Sequence, residues 1–362
     1  MSKKEWRICK TEVRPLRGRL IQPFRTALGD HHTLDNLLFA IYLEGGKAYF
    51  GEAAVATHIT GETQAETHNN LHAAGRWLAG RDIREYLRIS AGLHERFGQN
   101  PAAIAAVEMA LADALTSRLH IPLWKLFGTK CRRLKTDITI VLADLQETAV
   151  TARRFYRQGF RQFKIKVGRD LDLDIKRIEA VHQWAPKAVI YVDANQGFSA
   201  GETIEFLRAV KRLGIHPALL EQPVPRDDWD GLKKISRSTS IPVCADESVR
   251  TLAEAVKMIK EQAAAVINIK LMKFGLIHAD AIARLARASG VQLMIGGMLE
   301  STLAMTASAH LAAGLGCFSY IDLDTPFFIR GEVTRNPYLA ANGTYDLRRV
   351  RHGVGVKPLL KR

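Results

Sequence analysis

The sequence predicts an α/β fold: a modified TIM-like (β/α)7β barrel behind an N-terminal α+β capping domain. Three observations predict it. From Lys135 onward, short apolar runs alternate with segments of helical periodicity. The runs are nearly continuous rather than alternating, as strands covered on both faces require. The first 130 residues lack this rhythm and open on two longer strand-like stretches.

Those opening stretches are expected around Trp6–Arg17 and Leu37–Phe50, the second carrying the turn signal Gly45-Gly46. Helical segments are expected over Thr63–Leu78 and Pro101–Leu119. Barrel strands are then expected at Asp137–Val141, Phe163–Val167, Val189–Val192, Ala218–Leu220, Pro242–Cys244, Val266–Ile269, Gln292–Ile295 and Tyr320–Ile321. Between them lie helical patterns such as Thr148–Gln158, Leu173–Trp184, Ala200–Leu213 and Leu252–Glu261. Eight strands spaced by seven helices close most simply into a barrel. The expected division is a cap over 1–130, a barrel over 131–325 and an irregular Pro- and Gly-containing segment over 326–362 that packs back on the cap.

The composition excludes several classes of function. With 362 residues, 47% of them hydrophobic, the chain can bury two domain cores and is not disordered. No run of about 18 apolar residues spans a membrane, and the start MSKKEWRICK lacks the apolar stretch of a secretory signal. Cys9, Cys131, Cys244 and Cys317 are far apart and form no CxxC pair, so buried, reduced thiols in a cytosolic protein are expected. The net charge of +15 raises nucleic acid as a partner. Yet the basic residues are scattered, with short clusters only at Lys130–Lys135 and Arg348–Arg351, and neither interleaves aromatics. A solvated surface is expected, with no nucleic-acid or membrane partner.

The chemistry lies at the C-terminal ends of the predicted strands, where barrels place reactive groups. Nine ionisable residues sit there: Lys164, Lys166, Asp193, Glu221, Asp246, Glu247, Lys270, Asp322 and Asp324. Asp193, Glu221 and Asp246 come from three adjacent strands. Three converging carboxylates repel unless a cation sits among them, and an oxygen-only set selects a hard ion such as Mg²⁺. The alternative is that each caps the next helix or pairs with a barrel lysine. Lys164 and Lys166, two residues apart on one strand, point to one face about 6.5 Å apart. Two such cations depress each other's pKa, leaving one able to accept a proton. Lys270 lies four strands further round, across the barrel axis. Asp322 and Asp324 form a second same-face pair, read as an ammonium site distinct from the metal triad or as a structural pair held by Arg or Lys.

Together the motifs KIKVG, VDANQG, LEQPVP, ADES and NIKLMKFG resemble the enolase superfamily in its muconate-lactonising-enzyme-like subgroup, over essentially the whole chain. The DLDTP segment resembles the dipeptide epimerases, which include L-Ala-D/L-Glu epimerases. The resemblance implies that Asp193, Glu221 and Asp246 ligate Mg²⁺, that Lys166 and Lys270 are the two acid/base catalysts, and that Lys164 tunes Lys166. It also implies that Asp322 and Asp324 hold the dipeptide ammonium, and that the protein is a homo-oligomer. The implied reaction inverts the α-carbon of the C-terminal residue by 1,1-proton transfer through a stabilised enediolate.

Departures from that pattern bear on the substrate. Where Ala-Glu epimerases carry an Arg after the PFRTAL-like stretch, Gly29 follows Leu28. Without it a substrate glutamate lacks its partner, and the neighbouring Asp30, His31 and His32 point to a neutral, hydrophobic or cationic side chain. Met298 and Leu299 are expected to form an apolar wall, and Leu276 to narrow the pocket past Lys270. His58 reads as a loop residue rather than a ligand. The rival readings are a cycloisomerase or o-succinylbenzoate-synthase-type enzyme, whose substrates lack an ammonium, and a non-catalytic anion-binding protein.

Overall fold

The computed structural model describes residues 3–331 and 333–359. The N-terminal unit is an antiparallel sheet of β1 (Ile8–Thr26), β2 (Gly29–Leu43) and β3 (Ala48–Ala53), packed against α1 (Thr57–Thr60), α2 (Gln64–Leu78), α3 (Tyr86–Phe97) and α4 (Pro101–Arg118). The strand-like stretch Leu37–Phe50 turns at its Gly45-Gly46 signal into two strands, both glycines at positive φ. The first strand runs nine residues past its expected end, to Thr26, and the β1–β2 turn then overhangs the barrel. Helix α3 is absent from the sequence reading because its buried stripe is only Ile89, Ser90 and Leu93. Helix α4 is buried on almost every side, from Ala102 to Ala112, because β3 covers one side and a barrel helix the other. At Gly51 a Cβ would stand 1.9 Å from the carbonyl oxygen of Ala106, so only glycine lets sheet and helix approach this closely.

After β4 (Leu134–Lys135) the chain runs through eight parallel barrel strands and seven helices. They are β5 (Ile138–Ile140), α5 (Leu145–Gln158), β6 (Gln162–Lys166), α6 (Leu171–Trp184), β7 (Val189–Asp193), α7 (Ala200–Arg212), β8 (Leu219–Glu221), α8 (Trp229–Ser238), β9 (Val243–Ala245), α9 (Leu252–Glu261), β10 (Val266–Ile269), α10 (Leu271–Ala288), β11 (Gln292–Ile295), α11 (Thr302–Leu315) and β12 (Tyr320–Ile321). The strands lie in sequence order. The ring closes where the Asp137 N–H donates to the Ile321 carbonyl (2.9 Å) and the Leu323 N–H to Thr136 Oγ1 (2.7 Å). Register sets Lys166, Asp193 and Glu221 side by side.

Six of the seven barrel helices carry their own N-cap side chain: Asp144, Asp170, Ser199, Asp228, Thr251 and Ser301. This removes helix capping as the reason for the strand-end carboxylates. The exception is α10, preceded by Lys270 with no side-chain cap.

The segment after β12 does more than return to the cap. β13 (Ile329–Arg330) joins the cap sheet beside β1, whereas β14 (Thr344–Tyr345) pairs with β4, where the chain enters the barrel. Farther on, Val354 meets His310 of α11: His310 Nε2 faces its carbonyl (3.0 Å) while Nδ1 accepts the Trp124 N–H (3.1 Å). The thiols are free, but only Cys244 is buried; Cys9 is exposed and Cys131 and Cys317 are half-buried, because they sit on outer faces and loops. Among the described residues, no helix is long and apolar enough to cross a membrane.

Burial lowers the His310 pKa to about 4. An unfolded imidazole titrates near 6.5, so between these values the unfolded chain binds a proton that the fold refuses, and stability falls as pH drops. Denaturant unfolding is expected to show a loss of about 3 kcal/mol attributable to this residue between pH 6.5 and 4. His310→Gln, less stable at pH 8, should lack that component.

Candidate active site

The barrel mouth gathers more buried acids than buried lysines. Asp137, Asp193, Glu221, Asp246, Glu247, Asp322 and Asp324 face Lys164, Lys166, Lys270 and Lys273, all within the protein interior. Lys164 stands among the acids: its Nζ lies 3.0 Å from Asp193 Oδ2, 2.8 Å from Glu221 Oε2 and 2.7 Å from Asp322 Oδ2. Burial disfavours the ammonium, but Asp193, Asp322 and Glu221 outweigh it and hold the Lys164 pKa well above its ordinary value. At Lys164 the depression expected from a neighbouring cation is outweighed, because closely packed carboxylates dominate.

Lys166 Nζ donates to Asp193 Oδ2 (2.6 Å) and Asn195 Oδ1 (2.9 Å). Asn195 sits at φ +41° in the turn after β7 and its own N–H donates to Asp193 Oδ1 (2.9 Å), so one residue orients both the lysine and the acid. Across the mouth, Lys270 Nζ approaches Asp246 Oδ2 to 2.6 Å while Lys273 donates to Asp246 Oδ1 at 2.7 Å. Burial opposes the charge on Lys270, yet Asp246 and Glu221 raise its pKa.

The excess of acid shows in the acids themselves. Burial, then Asp193, pushes Glu221 up to about 8; burial, then Asp246, pushes Glu247 up to about 7. Burial and then the lysines act on Asp193 in opposite senses, and Lys164 and Lys166 prevail, holding it at about 2. Glu221 Oε2 and Asp246 Oδ2 are buried and accept no hydrogen bond of good geometry; only lysine ammoniums approach them. Three buried carboxylates, two of them keeping an oxygen that only ammoniums approach, are a donor set that fits a hard divalent ion.

Asp322 and Asp324 lie together with Asp137, one oxygen from each within 4.8 Å of the others. Asp324 Oδ2 accepts the Thr139 N–H (2.6 Å), and burial followed by Asp322 raises its pKa to about 7. Both Asp137 oxygens are buried without a hydrogen bond, and burial with Asp322 and Asp324 holds its pKa well above the usual carboxylate range. The pair and the triad share Lys164 as a counter-charge. Barrel closure brings β12 within one strand of β6, and Lys164 reaches across to join both groups.

Lys164, Lys166, Lys270, Asp322 and Asp324 all face one cleft of about 400 Å³ between barrel and cap. Met298 and Leu299 line it, as expected, with Asn36 Nδ2 of the cap donating to the Leu299 carbonyl (2.9 Å). Asp193, Glu221 and Asp246 lie beneath, screened by the lysines. Gly29 opens β2, paired with Thr26 across the turn Ala27-Leu28, and its neighbours Leu28 and Asp30 line the cleft in its place. Leu276 does not narrow the pocket; α10 breaks at Gly275 and turns Leu276 toward α4. The sequence reading omits Asn195, Thr139, Phe24, Val55 and Ile59, which the folded cleft brings in. The Asn in VDANQG was the one available signal.

The cap region 10–128 matches the family model of the mandelate racemase/muconate lactonizing enzyme N-terminal domain, and residues 147–361 match the enolase C-terminal domain-like model. The chain belongs to the enolase superfamily. Among its relatives, a protein of Citrifermentans bemidjiense named hydrophobic dipeptide epimerase is 46% identical, the match covering 95% of each chain. An aromatic dipeptide epimerase of Herpetosiphon aurantiacus is 38% identical over 93% of this chain and 95% of that one. A solved dipeptide epimerase from Enterococcus faecalis V583, complexed with Mg and L-Leu-L-Tyr, superposes with a TM-score of 0.92 at 30% identity, covering 97% and 99% of the two chains. The barrel-mouth charges are therefore placed on an enolase-superfamily scaffold.

Lys164 is the counter-charge to three buried acids. Lys164→Met is expected to cost about 3–5 kcal/mol of stability at pH 7, read by urea unfolding, because the carboxylates would be left buried and unpaired.

Proposed function

We propose that this protein is a Mg²⁺-dependent dipeptide epimerase that inverts the α-carbon of the C-terminal residue, with a preference for hydrophobic side chains. The observation that carries this reading is that Lys166 and Lys270, held by different carboxylates on strands four apart, face the same cleft. Two amines aimed at one bound molecule from separate strands suit removal of a proton on one side and its return on the other.

Asp193, Glu221 and Asp246 would hold the ion, which when bound supplies electrostatic stabilisation to a substrate carboxylate. The chain's own residues do the rest. Lys164, fixed by its ion pairs, stays charged and donates toward the negative charge that develops on that carboxylate as the α-proton leaves. A neutral Lys166 or Lys270 takes the α-proton onto Nζ, and the opposite ammonium delivers one to the other face. Asp322 and Asp324, with Asp137 behind them, offer negative charge to the dipeptide's N-terminal ammonium. Its position across the cleft matches a free amine on the residue that does not react.

The cleft lining favours apolar over charged side chains. Phe24, Leu28, Val55, Ile59, Met298 and Leu299 supply it, and no arginine is among the lining residues. Arg25 turns away to Asp30 and Glu147. Asp30 is itself neutralised by Arg25 (3.5 Å) and Arg169 (3.1 Å). Burial lowers the pKa of His31, and burial with His31 and the two lysines lowers His58 to about 4, so both rings are neutral at pH 7. Asp35, a second acid of the wall, is paired with Arg17 (3.0 Å), so the wall offers no unpaired charge to a Glu, Lys or Arg side chain.

Incubation of L-Leu-L-Tyr with protein and Mg²⁺ in D₂O is expected to place deuterium at the tyrosyl α-carbon, read by mass spectrometry; absence of deuterium from every dipeptide tried would overturn the reading. Asp322→Asn combined with Asp324→Asn should lower turnover at least about a hundredfold while the protein stays folded, through loss of the ammonium's partners. Hydrophobic C-terminal residues should exceed Glu in kcat/KM by at least about tenfold, measured by polarimetry.

A further inference from the structure

We propose that Glu108, a cap residue, is a positioning residue for Lys270. The proposal rests on the epimerase reading above and extends it to a group outside the cleft. Glu108 lies on α4, buried. Its Oε1 accepts the Ser90 hydroxyl of α3 (2.5 Å), with His94 Nε2 at 3.5 Å. Its Oε2 crosses to the barrel and accepts the Ile277 N–H at 3.0 Å.

That N–H is a special one. Helix α10 follows Lys270 without a side-chain cap, and it is interrupted at Gly275, which adopts φ 71°, ψ 175°. The helix therefore starts twice. Its first turn, Leu271–Phe274, follows Lys270 directly and carries Lys273. The second start, after the break, exposes new unpaired N–H groups, which need an acceptor when buried. Glu108 supplies that acceptor and a negative charge at a helix N-terminus. The fit leaves no slack: a Cβ at Gly275 would meet Glu108 Oε2 at 2.5 Å, in a backbone conformation that side chains rarely adopt.

The anchored break fixes the turn before it. Within that turn Lys273 Nζ donates to Asp246 Oδ1, to the Asp246 carbonyl and to the Asn268 carbonyl, and Met272 Sδ accepts the Ala54 N–H from the cap at 3.3 Å. Lys270, one residue earlier, points its Nζ at the other oxygen of Asp246. The Lys166 side is built differently. The loop after β6 is fastened by Asp174 of α6, which accepts the Gly168 N–H (2.7 Å), and by Arg169, which donates to the Thr26 carbonyl (2.6 Å) and Asp30 (3.1 Å) of the β1–β2 turn, with Glu108 taking no part. Glu108 thus couples the cap to one of the two lysines.

The test exploits this one-sidedness. Wild-type protein with Mg²⁺ in D₂O is given L-Leu-L-Tyr and, separately, L-Leu-D-Tyr, and early α-deuteration is followed by NMR. Lys166→Ala and Lys270→Ala identify which epimer each lysine serves. Glu108→Ala is expected to slow exchange of the epimer served by Lys270 at least tenfold and of the other less than threefold. Glu108→Gln, whose amide oxygen still accepts from Ile277, should stay within threefold of wild type for both. Equal slowing of both epimers by Glu108→Ala, or slowing of neither, overturns the proposal. If Glu108→Ala fails to fold by circular dichroism, Glu108→Asp, which withdraws the carboxylate by one methylene, is judged by the same asymmetry. No exchange of either dipeptide by wild type removes the epimerase reading and the proposal with it, whereas exchange by wild type with a symmetric variant removes the proposal alone.

Discussion

The constraint on which this structure depends is the balance of buried charge at the barrel mouth. Four lysines and a larger number of carboxylates occupy an interior where an unpaired ion is worth several kcal/mol against folding. They are tolerated because each strand end delivers its charge next to an opposite one: Lys166 beside Asp193, Lys270 and Lys273 on the two oxygens of Asp246, and Lys164 among Asp193, Glu221 and Asp322. The residual excess of acid keeps Glu221, Glu247, Asp137 and Asp324 above their ordinary pKa range. A site arranged in this way is short of positive charge until a cation or an ammonium enters, which links its stability problem to its ligands.

The cap closes this site and also supports it. The β1–β2 turn brings Phe24, Leu28 and His31 over the mouth, and the short helix α1 adds His58 and Ile59. Beneath them two buried glutamates reach into the barrel. Glu52 of β3 accepts the N–H and the hydroxyl of Ser301 at the start of α11, and Glu108 accepts at the restart of α10. Both helices follow strands on the Lys270 side. The cap therefore sets the side-chain wall and steadies the Lys270 half of the machinery through buried glutamates, while the Lys166 half is tied to the barrel by Asp174 and to the β1–β2 turn by Arg169.

Much of this is legible in the residues because it violates packing expectations. A strand end in a closed barrel favours Val or Ile, so Lys164, Lys166, Asp193, Glu221, Asp246 and Lys270 stand out wherever strands can be counted. The expected barrel strands match the folded ones to within a residue at each end, whereas the cap strands do not. Helix α3 is not legible, since three buried positions make too thin a stripe for periodicity. Leu276 and Gly29 are assigned to the pocket by sequence distance from Lys270 and Leu28. In the fold, a break at Gly275 turns Leu276 toward α4, and Gly29, without a side chain, leaves the lining to Leu28 and Asp30.

By itself the sequence determines which groups meet at the mouth, because strand order and the two-residue period of a strand leave few alternatives for residues at the strand ends. It does not determine which charge controls which. Only barrel closure brings Asp322 onto Lys164, so that three acids, rather than the neighbouring lysine, set the charge on Lys164. Only the packing of cap on barrel decides the side-chain wall and the role of Glu108, since those contacts join residues far apart in the chain. No local pattern encodes the distance between them.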